Sequence, residues 1–311
     1  MTFRHDSDID PNEEFSVRDF DKMLLKLLRR AQKAVEKSNW TPDQKVVVTS
    51  QFDLFLRTHR SIRVLSKFDE PQTSSLSDAL SLVREQIEKV FIVCILLEDL
   101  SQWTTAYFRD GWKKKYERFL LESSETENLD AHQVFNLSIG NDLIENMRSK
   151  IGIPIESKEY IRLEFETGSK PTHLARFKIE DFPTPGNVKK HILNQEKKRC
   201  LERWHLEYKH FCSFSHALID KSVSGYFQDN PNLLPAPIIL DHQETELGQA
   251  LTVSYTAAIY SVTELYPCVD YDLDLLESLS DIWTCLERFS LFSRMIWQIR
   301  AKSLLPKLIE P

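Results

Sequence analysis

The residues best equipped for chemistry lie close together, in the segment ILNQEKKRCLERWHLEYKHFCSFSHALID, residues 192–220. His205, His210 and His216 stand there with Arg199, Arg203 and Cys212. A helix turns about 100° per residue, which puts Arg199, Arg203, Glu207 and His210 on one face and His205, Lys209, Cys212 and His216 on another. Arg203 and His210 form an R-x6-H pair on a single stripe. An arginine fork can hold a phosphate while an imidazole moves a proton, the combination that suits metal-independent RNA cleavage. Arg199 and His205 also fit R-x5-H, but on a regular helix they point roughly 120° apart. The competing reading of the stripe is a solvated face carrying an Arg–Glu ion pair.

A second chemistry is metal binding. Cys212 and His216 are one helical turn apart, with His205 two turns earlier, and zinc accepts thiolate and imidazole. A structural zinc site takes four ligands, and the sequence supplies no convincing remainder, so neither a metal nor another cofactor is expected. The competing account is a core thiol beside a buried, hydrogen-bonded histidine. Asp270, Asp272 and Asp274 alternate as D-x-D-x-D, but Leu275 and Asp281 stand where a calcium loop needs glycine and glutamate. These acids are expected to cap the last helix and complement its dipole. Arg57, His59, Arg60, Arg63 and Lys67 are expected on a solvent face, where an acidic partner could meet them.

Other chemistries lack their residues. The chain has only 7 glycines among 311 residues, and no two are spaced for a phosphate-cradling loop or a dinucleotide fingerprint. No G-x-S-x-G elbow, H-E-x-x-H helix or kinase signature is present. The formal net charge of -7 attracts no nucleic acid as a whole, so such a contact requires a local basic patch. The 5 cysteines make no C-x-x-C pair and read as free thiols. The acidic start MTFRHDSDIDPNEE is no signal peptide, and the longest apolar run, Val90 to Leu97, is far short of a span of roughly 18 residues. A cytoplasmic protein without membrane segments is the expectation.

The elements that must position these residues are helical. With 41% hydrophobic and 28% charged residues, the chain can bury a sizeable core. Helical periodicity runs over 15–37, with Phe20, Met23, Leu24, Leu27 and Leu28 on one stripe. Thr41 and Pro42 start a second helix to about 68, with Val46, Val47, Phe52, Phe55, Leu56, Ile62 and Leu65 inward. A third spans about 77–99 and buries Leu80, Val83, Ile87, Val90, Phe91 and Cys94. Further helices are expected over 103–122, 131–150, 188–226, 244–265 and 273–304. Between Tyr160 and Phe182 the period changes to two, which predicts a β-hairpin over 159–182. The expected fold is thus an all-α helical bundle with one small inserted β-hairpin. Its parts are an acidic tail (1–14), an N-terminal helical part (15–125), a connecting helix with the hairpin (126–186), and a C-terminal helical part (187–311) that packs on the first.

Two segments carry a family resemblance. VREQIEKVFIVCILLEDL, with Arg84, Glu85 and Glu88 ahead of an apolar helix, resembles the first conserved helix of a group of bacterial helical proteins. EYKHFCSFSHA, with Tyr208, Ser213 and His216, is similar to a later helix of that group, in which an aromatic is followed by Ser and His. These proteins resemble the HEPN superfamily, helical bundles that include RNA-cutting toxins and antiviral effectors as well as inactive binding members. The resemblance implies a helical module of a bacterial stress or defence system, with RNA or protein as partner. HEPN nucleases usually place Asn or Asp directly after the arginine, whereas Cys200 and Trp204 follow here. The leading expectation is therefore a module without assigned catalytic activity, and the alternative is a HEPN-type ribonuclease using Arg203, His210 and His216. If the two segments pack together, Glu85 or Glu88 would accept a hydrogen bond from His216. A homodimer is also expected, because Leu286, Phe289, Phe292, Met295, Ile296, Trp297 and Ile299 cover more than one face of the final helix.

Overall fold

The computed structural model describes residues 17–65, 73–108, 110–111, 182–215 and 236–305. They belong to two units, one drawn from Met1–Glu98 and Thr184–Pro311 and the other from Asp99–Pro183. Among the described residues there are helices and turns and no strand. The hairpin expected over 159–182 lies outside the described residues apart from Phe182, as does the helix expected over 131–150.

In the larger unit, α1 (Val17–Lys37), α2 (Pro42–Leu65) and α3 (Thr73–Leu96) come first. A 3₁₀ turn (Val188–Lys190) then precedes α5 (Gln195–Ser215), α4 (100–108) belonging to the smaller unit. Next are α6 (Ala236–Leu265), α7 (Leu273–Phe289) and α8 (Leu291–Ile296), followed by a π-helical stretch, Trp297–Ala301. The hub is α6. Every residue from 253 to 265 is buried, so its polar side chains need partners inside the bundle. Ser261 and Thr263 donate to the carbonyls of Ala257 and Ile259, one turn back, at 2.9 and 2.8 Å. Thr263 Oγ1 also accepts from Trp283 Nε1 of α7 at 2.9 Å. Such bonds let a helix carry hydroxyls without exposing any face.

The remaining helices offer single stripes to this hub. Phe20, Leu24, Leu27 and Leu28 of α1 are buried as expected, while Met23 is only part-buried. In α3 the whole expected set from Leu80 to Cys94 is buried. Two assignments on α2 are corrected. Val46, expected inward, is 60% exposed, and His59, expected on the solvent face, is 3% exposed. The reason is helical period: Phe52, Phe55, His59 and Ile62 recur every three or four residues and share a stripe, whereas Val46 precedes it. Arg63 of the expected solvent face is also withdrawn from it, since it donates to Asp21 of α1 at 3.0 Å.

Several helix limits differ from expectation because caps decide them. The helix expected from 188 starts at Gln195, where the Asn194 side chain accepts from Lys197 N at 2.9 Å. The helix expected from 244 starts at Ala236, with Pro237 in its first turn where no N–H is required. The helix expected over 273–304 breaks at Ser290, whose extended backbone and hydroxyl cap α8. Asp272 caps α7 by accepting from Leu275 N at 3.0 Å, the role expected of the D-x-D-x-D run. Arg30 of α1 donates to the Asp274 carbonyl and to Ser278 Oγ, tying α7 to α1.

The smaller unit contains α4 (100–108). Asp99 caps it, accepting from Gln102 N at 3.0 Å, so the helix begins before the expected Trp103. Trp103 and Tyr107 meet Phe182 edge-on, with centroids 6.1 and 5.3 Å apart.

Candidate functional site

The helix α5 carries most of the residues singled out for chemistry. Its inner face is set by Lys197, Cys200, Leu201, Trp204 and Phe211, all buried, at the three- and four-residue spacing that packs one side of a helix. Arg199, Arg203 and His210 are consequently exposed. The ring of His210 lies across Phe211, with centroids 5.2 Å apart. Part-burial raises the Glu207 carboxyl above its ordinary range, and the charge opposing that rise is His210. His216, the third catalytic candidate and the proposed partner of Cys212, lies outside the described residues, and so does its expected bond to Glu85 or Glu88. Glu88 instead accepts from Tyr208 of α5 at 3.1 Å and lies 3.6 Å from Arg84. The two segments that carried the resemblance therefore do pack together, through α3 and α5.

Beside this face is a cleft of about 300 Å³. One wall is the turn at Pro185, Gly186 and Lys189; the other is α5 at Leu201, Glu202, His205, Leu206 and Lys209, with Phe91 of α3 behind them. The turn is fixed because the Thr184 carbonyl accepts from Asn187 N and Val188 N at 2.8 and 3.1 Å. Val188 and Ile192 anchor it in the core, which leaves Lys189, Lys190 and His191 at the surface. His205 is part-buried, and its Nδ1 is buried without a hydrogen-bond partner. Burial, aided by Lys209 and Lys189, lowers its basicity. The ring packs beside Phe91, edge-on at 6.4 Å, and Tyr208, stacked at 6.1 Å, which themselves meet edge-on at 6.2 Å. Arg203 and His210 do not line this cleft.

Two buried polar clusters escaped the sequence reading. In the first, His59 Nε2 lies 2.9 Å from Asp21 Oδ1, and His59 Nδ1 lies 3.0 Å from Ser254 Oγ. This is the connectivity of an acid–base–nucleophile chain. Ser254 and His59 are sealed in the core, however, and Ser254 Oγ also accepts from Gln86 Nε2 at 3.3 Å. No substrate can reach the hydroxyl, so the cluster is a structural clasp of α1, α2, α3 and α6. Burial pushes the Asp21 carboxyl up, but hydrogen bonds from His59 and Tyr255, the charge of His59 and the bond from Arg63 outweigh it and hold the group at about 2.

The second cluster centres on Glu264. Arg300 Nε and Nη2 donate to its two oxygens at 2.9 and 3.2 Å, and Tyr260 donates at 2.8 Å. Lys197 Nζ is 3.7 Å from Glu264 and donates to Glu98 and the Cys94 carbonyl at 2.8 and 2.9 Å. Burial alone would lower Lys197, but surrounding groups, Glu264 and Glu98 among them, raise it, so the ammonium persists. The neighbouring Cys200 thiol is pushed up to about 12, by burial first and then by Glu264, and is inert as a nucleophile. Among the described residues no three His, Cys, Asp or Glu side chains are placed to hold a metal ion. All five cysteines are free thiols. No described helix is long and apolar enough to cross a membrane.

The signal for His59 was present in the sequence, in its spacing from Phe55 and Ile62. The charged members of the Glu264 cluster had no local signal, because Lys197, Glu98 and Arg300 come from elements other than that of Glu264. No family model, no curated protein and no solved structure matches this chain.

Proposed function

We propose that this chain is a helical module that binds RNA through α5 and the turn before it, without catalytic activity of its own, in the bacterial stress or defence setting that the HEPN-like resemblance implies. The observation that carries the reading is local charge. On a chain of net charge -7, residues 188–210 hold seven Lys and Arg against three Glu. Five of these cations, Lys189, Lys190, Arg199, Arg203 and Lys209, are exposed. A phosphate backbone is attracted to such a concentration of cations even when the molecule as a whole repels it. The test is fluorescence anisotropy with a labelled single-stranded RNA over a salt series. Affinity falls linearly in log–log form with salt, and Arg199→Glu with Arg203→Glu weakens it by about tenfold or more. Binding that ignores both salt and the charge reversal overturns the reading.

The ribonuclease is the second reading, favoured by the exposure of both Arg203 and His210. It requires cleavage of the same RNA in EDTA, lost by about 100-fold or more in Arg203→Ala and in His210→Ala. Intact RNA after prolonged incubation eliminates it.

The reading includes a homodimer formed through the C-terminal helices. Leu291 is 72% exposed at the start of α8, and Tyr271 and Leu273 are exposed at the start of α7; large apolar side chains at a surface favour a second copy. Light scattering at high micromolar concentration should give twice the chain mass of 36.5 kDa, and a strict monomer refutes the dimer.

A further inference from the structure

We infer that the cleft between α5 and the 185–189 turn is a binding site for a small planar organic anion, an aromatic or heteroaromatic carboxylate. The site shares Lys189 and Lys209 with the proposed RNA face but lies apart from the Arg199–Arg203 stripe, and its ligand needs no RNA to bind.

Size sets the first limit. A volume of about 300 Å³ lies at the lower end of the range that holds small ligands, so the ligand has one ring or two. The walls set the second. Phe91, Pro185, Leu201 and Leu206 are apolar, and Leu206 is 55% exposed at the lip. A leucine so placed on a charged helix face offers contact to an apolar ligand body.

Charge sets the third limit. Lys189 approaches from the turn and Lys209 from the helix. Glu202 lies 3.8 Å from Lys189 and offsets one of these charges, so the charged residues of the lining leave one net positive charge. The fourth limit is the imidazole. With Nδ1 buried and unpartnered, placing the proton there would bury an unpaired N–H as well as leave the lone pair of the other nitrogen outward. The favoured tautomer carries its proton on Nε2, on the part of the ring left exposed. The ring, packed beside Phe91 and Tyr208, then presents one N–H donor.

One cation and one fixed donor above apolar walls match a carboxylate on a flat ring. An organic cation would meet the two ammonium groups. A purely apolar ligand would strip water from His205 and Lys209 without replacing it, and a bare inorganic anion would leave the walls unused.

The experiment is a ¹⁹F NMR titration of the full chain with 4-(trifluoromethyl)benzoate, with the matching benzamide and benzylamine as probes of charge. The benzoate should bind saturably, the benzamide about tenfold more weakly, and the benzylamine not measurably. Lys209→Glu should weaken the benzoate by about tenfold or more. Gly186→Leu gives a second, independent arm: Gly186 is part of the cleft wall and a Cβ there meets nothing within 4 Å, so the fold tolerates the larger side chain, which narrows the cleft and should abolish binding. Arg199→Glu with Arg203→Glu, which lie outside the cleft lining, should leave benzoate affinity unchanged, which separates this site from the arginine stripe. Equal binding of all three probes, no saturable binding of the benzoate, or full binding by folded Gly186→Leu, verified by circular dichroism, overturns the inference.

Discussion

Asp21 shows how one residue can hold three helices. Its carboxylate receives His59 and Tyr255 on Oδ1 and Arg63 on Oδ2. Because these partners keep its folded-state pKa at about 2, below the ordinary carboxylate range, its contribution is complete above pH ~4 and is lost as the pH falls from ~4 through ~2. The carboxylate is partly exposed, so solvent screening reduces the linkage to about 1–2 kcal/mol. Asp21→Asn should therefore lose roughly that much stability at pH 7 and show a flatter stability profile between pH 4 and 2. Urea unfolding across that pH series measures both; a variant with the same acid-limb slope as the parent would contradict the assignment. Ser254, despite its place in an acid–base–nucleophile chain, is a packing residue because nothing outside the core reaches it.

At the scale of elements, caps rather than apolar pattern set the boundaries. The apolar residues of 273–304 read as one helix, yet the extended backbone at Ser290 divides them and its hydroxyl accepts from Ser293 N at 3.3 Å. The break redirects the following residues: Ile296 and Ala301 are buried, while Leu291 is left outside. More than one apolar face was therefore legible because two helical segments with different directions were read as one. Removing a cap oxygen costs about 1 kcal/mol, so Asp272→Ala and Ser290→Ala should each lower the urea midpoint by that equivalent. The Gly replacements should cost only a few tenths of a kcal/mol. Equal losses for Ala and Gly would mean that the hydroxyl and carboxylate do not act as caps.

Across the larger unit, Glu264 connects elements far apart in sequence: Lys197 of α5, Arg300 of the π-helical stretch and, through Lys197, Glu98 after α3. Glu264 is 2% exposed, and a buried charge left without its partner costs about 3–5 kcal/mol. Arg300→Met should destabilise by up to that amount, since it leaves the Glu264 carboxylate with the Tyr260 hydroxyl and, as its one cation, Lys197 at 3.7 Å. The double change Glu264→Leu with Arg300→Met should be less destabilising than the sum of the two single changes, by about 1–3 kcal/mol. Additive losses in a thermal or urea double-mutant cycle would show that the pair is not coupled.

The sequence by itself determined the helical class and the stripes that face inward. Both are carried by residues within one or two turns of each other: Leu24, Leu27 and Leu28 on α1, or Val83, Ile87, Val90 and Cys94 on α3, declare a buried face through spacing alone. It also determined the exposure of Arg203 and His210, because the inner face of α5 is fixed by Cys200, Trp204 and Phe211 at the same short range. Even the burial of His59 was available in that periodicity. Only the tertiary structure decided which polar groups meet. Asp21 and Ser254, or Lys197 and Glu264, are separated by dozens to hundreds of residues, and no helical period relates them. The cleft was equally beyond sequence reading: Phe91 and Lys189 reach His205 only because α3 packs on α5 and the Val188–Ile192 anchor folds the turn back against it. Burial is a property of a stripe and can be read locally, whereas a site requires stripes from different helices to converge, and that convergence is set by packing.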